Sequence, residues 1–267
     1  MSKMEAIKTF RDLLAFLTII PLGKTDDFVV TSAEAIFLFP VIGGFIGLLG
    51  AAYFIGCGFL MSYILAFINS FIQIPEEFLL KLVPATMTLA FLLVLTGLQH
   101  FDGLVDLGNA IGVGNVKERR AAAHVWIVTR KGALLAIFVE FFAFLGLFFL
   151  DAPFALGAIV AAEVAAKLAM VTIAWIGKPA HTGLGSIFVE NAKRKRNVVA
   201  FVFAALIVYP LLGFTSVGVI LVSVLFGVFM ERVAKSVFGG VSGDVIGATN
   251  EVVRAVVLVL LAGVRML

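Results

Sequence analysis

Long stretches without charged side chains constrain this chain more than any other feature. The longest runs from Ala35 to Ile74, forty residues with no Asp, Glu, Lys, Arg or His. A helix needs about 20 apolar residues to cross the hydrocarbon core of a bilayer. Only 14% of all residues are charged, whereas soluble domains have about 25%. We therefore predict an all-α fold, a polytopic integral membrane bundle of about seven transmembrane helices.

The apolar stretches predict a single transmembrane domain over residues 1–267. An interfacial segment, 1–34, contains an amphipathic helix over residues 6–20 that we expect to lie on the membrane surface. The remainder, 35–267, forms the membrane bundle. Its predicted spans are 35–74, 83–98, 132–150, 154–176, 198–212, 216–230 and 252–261. The first is longer than one crossing needs, so it forms either one long tilted helix or two passes.

Basic residues alternate along the chain in a way that predicts its orientation. They concentrate in the N-terminal segment and after the second, fourth and sixth spans. The N-terminal segment has Lys3, Lys8, Arg11 and Lys24, and the three loops have, in order, Lys117, Arg119, Arg120, Arg130 and Lys131; Lys178, Lys193, Arg194, Lys195 and Arg196; and Arg232 and Lys235, with Arg254 just beyond. Such loops face the cytoplasm, and the alternation closes only if 35–74 crosses once. The segments 99–131, 177–197 and 231–251 then share the cytoplasmic side of a cell membrane and can build one site.

Paired carboxylates in two of these segments indicate a metal site. Asp102 and Asp106 are four residues apart, so they share one face of a helix, and Asp244 and Glu251 are two turns apart. A divalent cation would relieve the repulsion between the first pair, and oxygen ligands select Mg²⁺, Mn²⁺ or Ca²⁺ rather than zinc. Glycines around Asp244 let backbone amides approach an anion. The alternatives are that Asp102 caps a helix, Asp106 is solvated, and the glycine-rich segment is a flexible turn.

Other polar residues have a structural and a functional interpretation. His100 is either a polar end-cap or a group that donates to phosphate or accepts a proton. Glu163 and Lys167 lie four apart within a predicted span, where charges commonly face a cavity, although a neutralised structural pair is the alternative. Glu140 is similar but has no neighbouring partner in sequence. The basic cluster 193–196 is typical of a segment that sets topology and meets anionic lipid head groups, and the alternative is that it binds a polyanionic nucleotide substrate.

Five short motifs occur along the chain, among them the stretch His100-Phe101-Asp102-Gly103-Leu104-Val105-Asp106. That stretch is similar to the His-Leu-Asp-Gly-Leu-Ala-Asp signature of the cobalamin synthase family, the adenosylcobinamide-GDP ribazoletransferases. The other four are similar to Phe-Leu-Thr-x-x-Pro, Phe-Pro-Leu-x-Gly, Gly-Leu-Gly-x-x-Phe and Gly-Gly-x-x-Gly-Asp-x-x-Gly-Ala-x-x-Glu, and they lie at 16–21, 39–43, 183–188 and 239–251. The motifs occur in order across nearly the whole chain.

This resemblance implies a membrane-bound, Mg²⁺-dependent transferase. Its substrates would be adenosylcobinamide-GDP and α-ribazole or its 5′-phosphate, and it would release GMP. Asp102, Asp106 and Asp244 would hold the metal, with His100 and Glu251 as catalytic residues. Substrate contacts are predicted for Asn109, Lys131, Lys167, Lys178 and Asn250.

Two positions depart from the family pattern. Asn109 stands where relatives commonly carry an aspartate, and 124–132 lacks the aspartate and the Ile-Gly-Thr-like run that usually precede the third span. These departures leave open a diverged member with altered activity. The sequence also leaves open two rivals, a CDP-alcohol-type membrane phosphotransferase and a transporter. The expected partners are small-molecule substrates and the lipid bilayer, with no nucleic acid; the oligomeric state stays open, a homo-oligomer included.

Overall fold

The computed structural model describes residues 3–23, 25–123 and 127–266. Within these ranges the chain forms twelve α-helices and no strand. The helices are α1 Lys3–Leu17, α2 Phe28–Glu34, α3 Phe39–Asn69, α4 Glu76–Leu95, α5 Gln99–Ala110, α6 Val116–Ala123, α7 Arg130–Phe148, α8 Ala152–Ile176, α9 Leu184–Asn191, α10 Val199–Leu212, α11 Thr215–Phe238 and α12 Gly243–Met266. Short 3₁₀ turns, Ile36–Leu38 and Lys195–Val198, lead into α3 and α10.

Seven of the described helices are long and apolar enough to cross a membrane: α3, α4, α7, α8, α10, α11 and α12. The prediction of an all-α membrane bundle with seven spans is therefore confirmed. The stretch 35–74 contains one unbroken helix, α3, and thus crosses once. Much of segment 231–251, predicted to be a loop, is helical instead. It contains the end of α11 and the first turns of α12, where the side chains of Thr249, Asn250 and Glu251 are fully buried.

Helix α8 lies at the centre of the bundle, with α3, α10, α11 and α12 packed around it. The glycines of α3 allow the closest of these contacts. A Cβ added at Gly43 would lie 2.6 Å from the Glu163 carbonyl oxygen, and one at Gly47 would lie 2.6 Å from Val160 Cα. Small residues at such positions let helix backbones approach in a membrane, where burial of apolar surface gives little drive for association.

The N-terminal helix α1 packs partly on the bundle itself. Leu13 and Leu17 on its second half are buried, and α1 contacts α2 and α3. Asp12 is also buried and accepts a hydrogen bond of 2.9 Å from the Thr25 hydroxyl. The first half leaves apolar side chains such as Ile7 exposed, as expected for a helix at a membrane surface. The rest of the protein therefore covers the apolar side chains of the second half of α1 and leaves those of the first half exposed.

The connections that follow α4, α8 and α11 meet at one end of the bundle. Val241 N donates to the Lys178 carbonyl at 2.7 Å, and Ala180 N donates to the Val241 carbonyl at 3.0 Å. The Arg120 side chain from α6 donates to the carbonyls of Phe238, at 2.8 Å, and Ala180. These bonds hold together the segments 99–131, 177–197 and 231–251, which the charge pattern predicted to lie on one side of the membrane.

Candidate active site

A cavity of about 360 Å³ opens at this end of the bundle. Its walls come from α1, α3, α5, α8, α9 and α12, which are far apart in sequence. The lining residues are Phe16, Phe39, Gln99, His100, Met170, His181, Leu184, Gly185, Phe188, Gly243, Asp244, Ile246 and Gly247. Each of the five sequence motifs contributes at least one of them.

A sharp turn places His100 in the cavity wall. Gly97 and Leu98, between α4 and α5, both have positive φ angles of 65° and 58°. Glycine adopts this conformation readily, whereas a leucine there is strained, and such strain is typical of functional sites. The reversal starts α5 at Gln99, so His100 falls in its first turn and is buried.

Close contact between α5 and α12 brings the predicted carboxylates to the same end of the bundle. A Cβ added at Gly103 would lie 3.0 Å from Asp244 Cα, and one at Gly247 would lie 3.2 Å from His100 Cα. Asp102 and Asp106 therefore lie on α5 on either side of the residue that touches Asp244. Asp102 is exposed and Asp106 is half-buried.

The carboxylates do not converge into a ready-made metal cage. Among the described residues, no three His, Cys, Asp or Glu side chains come together closely enough to hold an ion. Asp244 lines the cavity and accepts a hydrogen bond from the Ser242 hydroxyl at 3.3 Å. Within the described part of the chain neither Asp102 nor Asp244 forms an ion pair. A cation bound at either carboxylate would therefore not have to displace an ion-paired basic side chain of the described residues.

His100 connects the cavity to charged groups below it. Its Nδ1 atom lies 3.8 Å from Glu251 Oε1. Burial holds the pKa of His100 well below its ordinary value of 6.5, and the positive charges of Lys167 and Arg254 lower that pKa further. The imidazole is therefore neutral near neutral pH, and a neutral imidazole has a nitrogen free to accept a proton.

Below His100 lies a buried ionic cluster formed by residues of α7, α8 and α12. Lys167 donates to Asn250 Oδ1 at 2.7 Å and to Glu163 Oε2 at 3.2 Å. Arg254 pairs with Glu163 at 3.4 Å and with Glu251. It also lies 3.6 Å from Glu140. The Lys167 ammonium is thus engaged inside the protein, and neither it nor Asn250 lines the cavity.

Three further residues predicted to contact substrate lie at the same end of the bundle but outside the cavity lining. The Asn109 side chain accepts from Thr129 N at 2.9 Å and donates to the Ile127 carbonyl at 3.2 Å. It therefore anchors the segment that leads into α7. Lys131 donates to the Ile111 carbonyl at 3.2 Å. Lys178 is exposed, and its carbonyl joins the backbone pairing with Val241.

Sequence reasoning missed several residues that the structure places in or beneath the site. Phe16, Phe39 and Phe188 line the cavity, although no phenylalanine was assigned a role. Their positions within the motifs at 16–21, 39–43 and 183–188 were the available signal. The sequence places Arg254 just beyond the basic loop after the sixth span, and the structure buries it within α12, where its partners come from α7 and α8. Lys24 and the first part of the departure at 124–132, residues 124–126, lie outside the described residues.

Together, the fold and the cavity define a polytopic membrane protein with a small-molecule site at one end of its bundle. The family model described as cobalamin-5-phosphate synthase matches residues 9–262. Similar proteins include those named adenosylcobinamide-GDP ribazoletransferase from Methanococcoides burtonii, 30% identical over 94% of this chain and 90% of the relative, and from Halorubrum lacusprofundi, 30% identical over 94% and 95%. The relative of the same name from Clostridium novyi is 28% identical over 93% and 94%. No solved structure matches. The chain belongs to the cobalamin-5-phosphate synthase family.

Proposed function

We propose that this chain is an adenosylcobinamide-GDP ribazoletransferase of cobalamin biosynthesis. It would join α-ribazole, or its 5′-phosphate, to adenosylcobinamide-GDP and release GMP. The observation that carries the proposal is the cavity, because five motifs spread from Phe16 to Gly247 supply its walls. The family match supports this function over the two rivals, a CDP-alcohol phosphotransferase and a transporter.

The reaction exchanges one P–O bond for another. A ribose hydroxyl of the nucleoside attacks the phosphorus that remains with cobinamide, and the bond from that phosphorus to the GMP oxygen breaks. GMP leaves with the electron pair, and the hydroxyl loses its proton. Such transfers depend mostly on positioning and on neutralising negative charge.

His100 is the residue we assign as proton acceptor. It lines the cavity, and its lowered pKa keeps it neutral. Glu251 is fully buried and does not line the cavity, so it acts through His100 as a positioning residue. With Nδ1 directed toward Glu251, the other ring nitrogen is left for substrate. The 3.8 Å between Nδ1 and Glu251 Oε1 is longer than a hydrogen bond, so we propose that the two groups close this gap when substrate binds.

We further propose that Mg²⁺ binds to oxygens of Asp102, Asp106 and Asp244. The fit rests on donor chemistry, since carboxylates suit a hard cation and two of the three have no ion-pair partner among the described residues. Proteins commonly hold Mg²⁺ through one or two carboxylates, with waters and substrate phosphates as further ligands. A three-carboxylate cage is therefore not required. When bound, the ion would supply charge neutralisation at the pyrophosphate.

We place the cavity on the cytoplasmic side of the cell membrane. Basic residues of α6 and of the segment 193–196 lie at the cavity end, which is the pattern of cytoplasmic loops. A membrane-impermeant maleimide tests this assignment in a Cys57→Ser background. Lys195→Cys should stay unlabelled in intact cells and Asp151→Cys, at the opposite end, should be labelled; the reverse pattern contradicts the assignment.

The decisive experiment measures GMP release by purified protein in lipid with adenosylcobinamide-GDP, α-ribazole and Mg²⁺. Release by the wild type and its loss in Asp102→Asn are the expected results. Mn²⁺ binding, followed by electron paramagnetic resonance, should weaken in the same variant and so reports on the metal without turnover. A better rate with a CDP-alcohol donor would favour the rival phosphotransferase. Flux of a solute that depends on Glu163 but not on Asp102 would favour a transporter.

A further inference from the structure

The first turns of α9 and α12 meet in the cavity wall. A Cβ added at Gly185 would collide with Gly243 N and would lie 2.8 Å from the Ser242 carbonyl carbon. Only glycine therefore fits at position 185 without moving the start of α12. Each helix N-terminus carries about half a positive charge, so this contact brings two positive helix ends together at one place.

The first amides at this contact have no acceptor within the protein. A helix leaves its first N–H groups without intrahelical partners. The third amide of each helix is bonded here, since Ser186 N donates to the Gly183 carbonyl at 3.1 Å and Val245 N donates to the Ser242 hydroxyl at 3.4 Å. In the described part of the chain no acceptor bonds the first two amides of either helix, those of Leu184, Gly185, Gly243 and Asp244. All four of these residues line the cavity.

A buried side chain in the same cavity also points to a ligand. His100 is only 5% exposed, lines the cavity and forms no hydrogen bond within the described residues. Buried polar groups nearly always have a hydrogen-bond partner, so we expect a ligand to supply one. Asp244 is the acidic residue of these two first turns, and its carboxylate accepts from the Ser242 hydroxyl at 3.3 Å. A divalent cation between this carboxylate and a bound anion would remove their repulsion.

We propose that the joined N-termini of α9 and α12 bind a phosphate group of a substrate, with the four amides as main-chain donors. Helix N-termini bind phosphate well, because their amides and their positive ends both favour an anion. Gly247, one turn after Asp244, contacts His100, so the imidazole lies beside the same site. The inference rests on the proposed function and adds the groups that hold the phosphate. Two phosphates qualify, the diphosphate of adenosylcobinamide-GDP and the 5′-phosphate of the phosphorylated acceptor.

The first test compares Leu184→Pro with Leu184→Ala. Both variants lose the leucine side chain, but only proline removes the amide hydrogen. Proline is well tolerated at the first position of a helix. Leu184 is 61% exposed and Gly183 before it is extended, so the ring has room and a suitable neighbour. We expect both variants to keep the same Tm to within a few degrees.

The loss of one hydrogen bond to a charged group should raise KM about tenfold or more in Leu184→Pro relative to Leu184→Ala. If the site holds the donor diphosphate, KM for adenosylcobinamide-GDP rises with either acceptor. If it holds the acceptor phosphate, KM rises for α-ribazole 5′-phosphate but not for α-ribazole, which has no phosphate. Equal KM values in the two variants for all three substrates overturn the inference.

A second measurement needs no turnover. Radiolabelled inorganic pyrophosphate is bound, in the presence of Mg²⁺, to the protein in lipid nanodiscs. We expect the wild type to bind it and Leu184→Pro to bind it about tenfold more weakly than Leu184→Ala. No binding by the wild type, or equal binding by the two variants, overturns the phosphate site. Pyrophosphate binding by a wild type that releases no GMP with any acceptor would instead reject the proposed function and keep the phosphate site.

Discussion

Removing the buried cation Arg254 is the sharpest test of how the site is held together. The guanidinium pairs with Glu163 at 3.4 Å and with Glu251, and lies 3.6 Å from Glu140. Arg254→Met would leave these three carboxylates in the bundle interior with Lys167 as their remaining cation within the described cluster. Breaking a buried ion pair costs about 3–5 kcal/mol, and we expect a loss of that size.

Thermal unfolding in detergent, followed by fluorescence-detected gel filtration, measures the effect. A loss of this size lowers Tm by on the order of 10 °C for a chain of this length. Arg265→Met is the matched control, because Arg265 is an exposed residue of the same helix, α12, that stacks on Phe154. Adding Glu140→Gln to Arg254→Met should recover part of the loss, since Glu140 pairs with Arg254. An unchanged Tm in Arg254→Met would refute the assignment of a stabilising buried cluster.

Three further substitutions test particular contacts. Gly47→Ala should lower the free energy of unfolding by about 1–3 kcal/mol, because α3 and α8 must separate, while Gly56→Ala, with open space around it, should be neutral or slightly stabilising. Asn109→Asp should lower it by about 1–3 kcal/mol, because a carboxylate cannot donate to the Ile127 carbonyl. Arg120→Gln should lower it by about 1.5–3 kcal/mol through the loss of charged hydrogen bonds and should reduce GMP release.

Matched variants in the same region check the last two. Asn115→Asp should lower Tm much less, because the hydrogen bond that Asn115 donates to the Glu118 carboxylate is exposed to solvent and aspartate still accepts from the Glu118 amide. Lys117→Gln, at an exposed position of α6, should leave GMP release unchanged. If Asn109→Asp matches Asn115→Asp, the anchoring role of Asn109 is wrong. If Arg120→Gln matches Lys117→Gln, the bonds to the Phe238 and Ala180 carbonyls do not organise the site.

The number of spans could be predicted from the sequence because membrane insertion depends on local properties. A run such as Ala35–Ile74 has the same meaning wherever it lies in the chain, and the basic loops fix its single crossing. The start of α12 was missed because Asn250, Glu251 and Arg254 make it polar. The residues that pair with these polar side chains, among them Glu163, are distant in sequence. The local sequence therefore does not indicate that the charges of α12 are buried and paired.

The predicted site residues also differ in whether the local sequence indicates them. His100 and Asp244 have unusual local sequence and do line the cavity, while their roles in metal binding and catalysis stay predictions. Among 27 phenylalanines, Phe16 and Phe188 differ from the others only by their positions within two of the motifs, because their contact exists only after α1 and α9 fold together.

The central position of α8 has a consequence for how the protein is made. Glu163 and Lys167 are synthesised with the fourth span, whereas Arg254 and Asn250 arrive only with the seventh. A chain still on the ribosome therefore holds two charges in the membrane before most of their partners exist. Until α12 inserts, that pair neutralises itself and the cavity lacks its Asp244 wall. Of the seven described spans, the one synthesised last both closes the ionic cluster and completes the cavity, so a chain stalled before that span would be less stable and would lack the cavity.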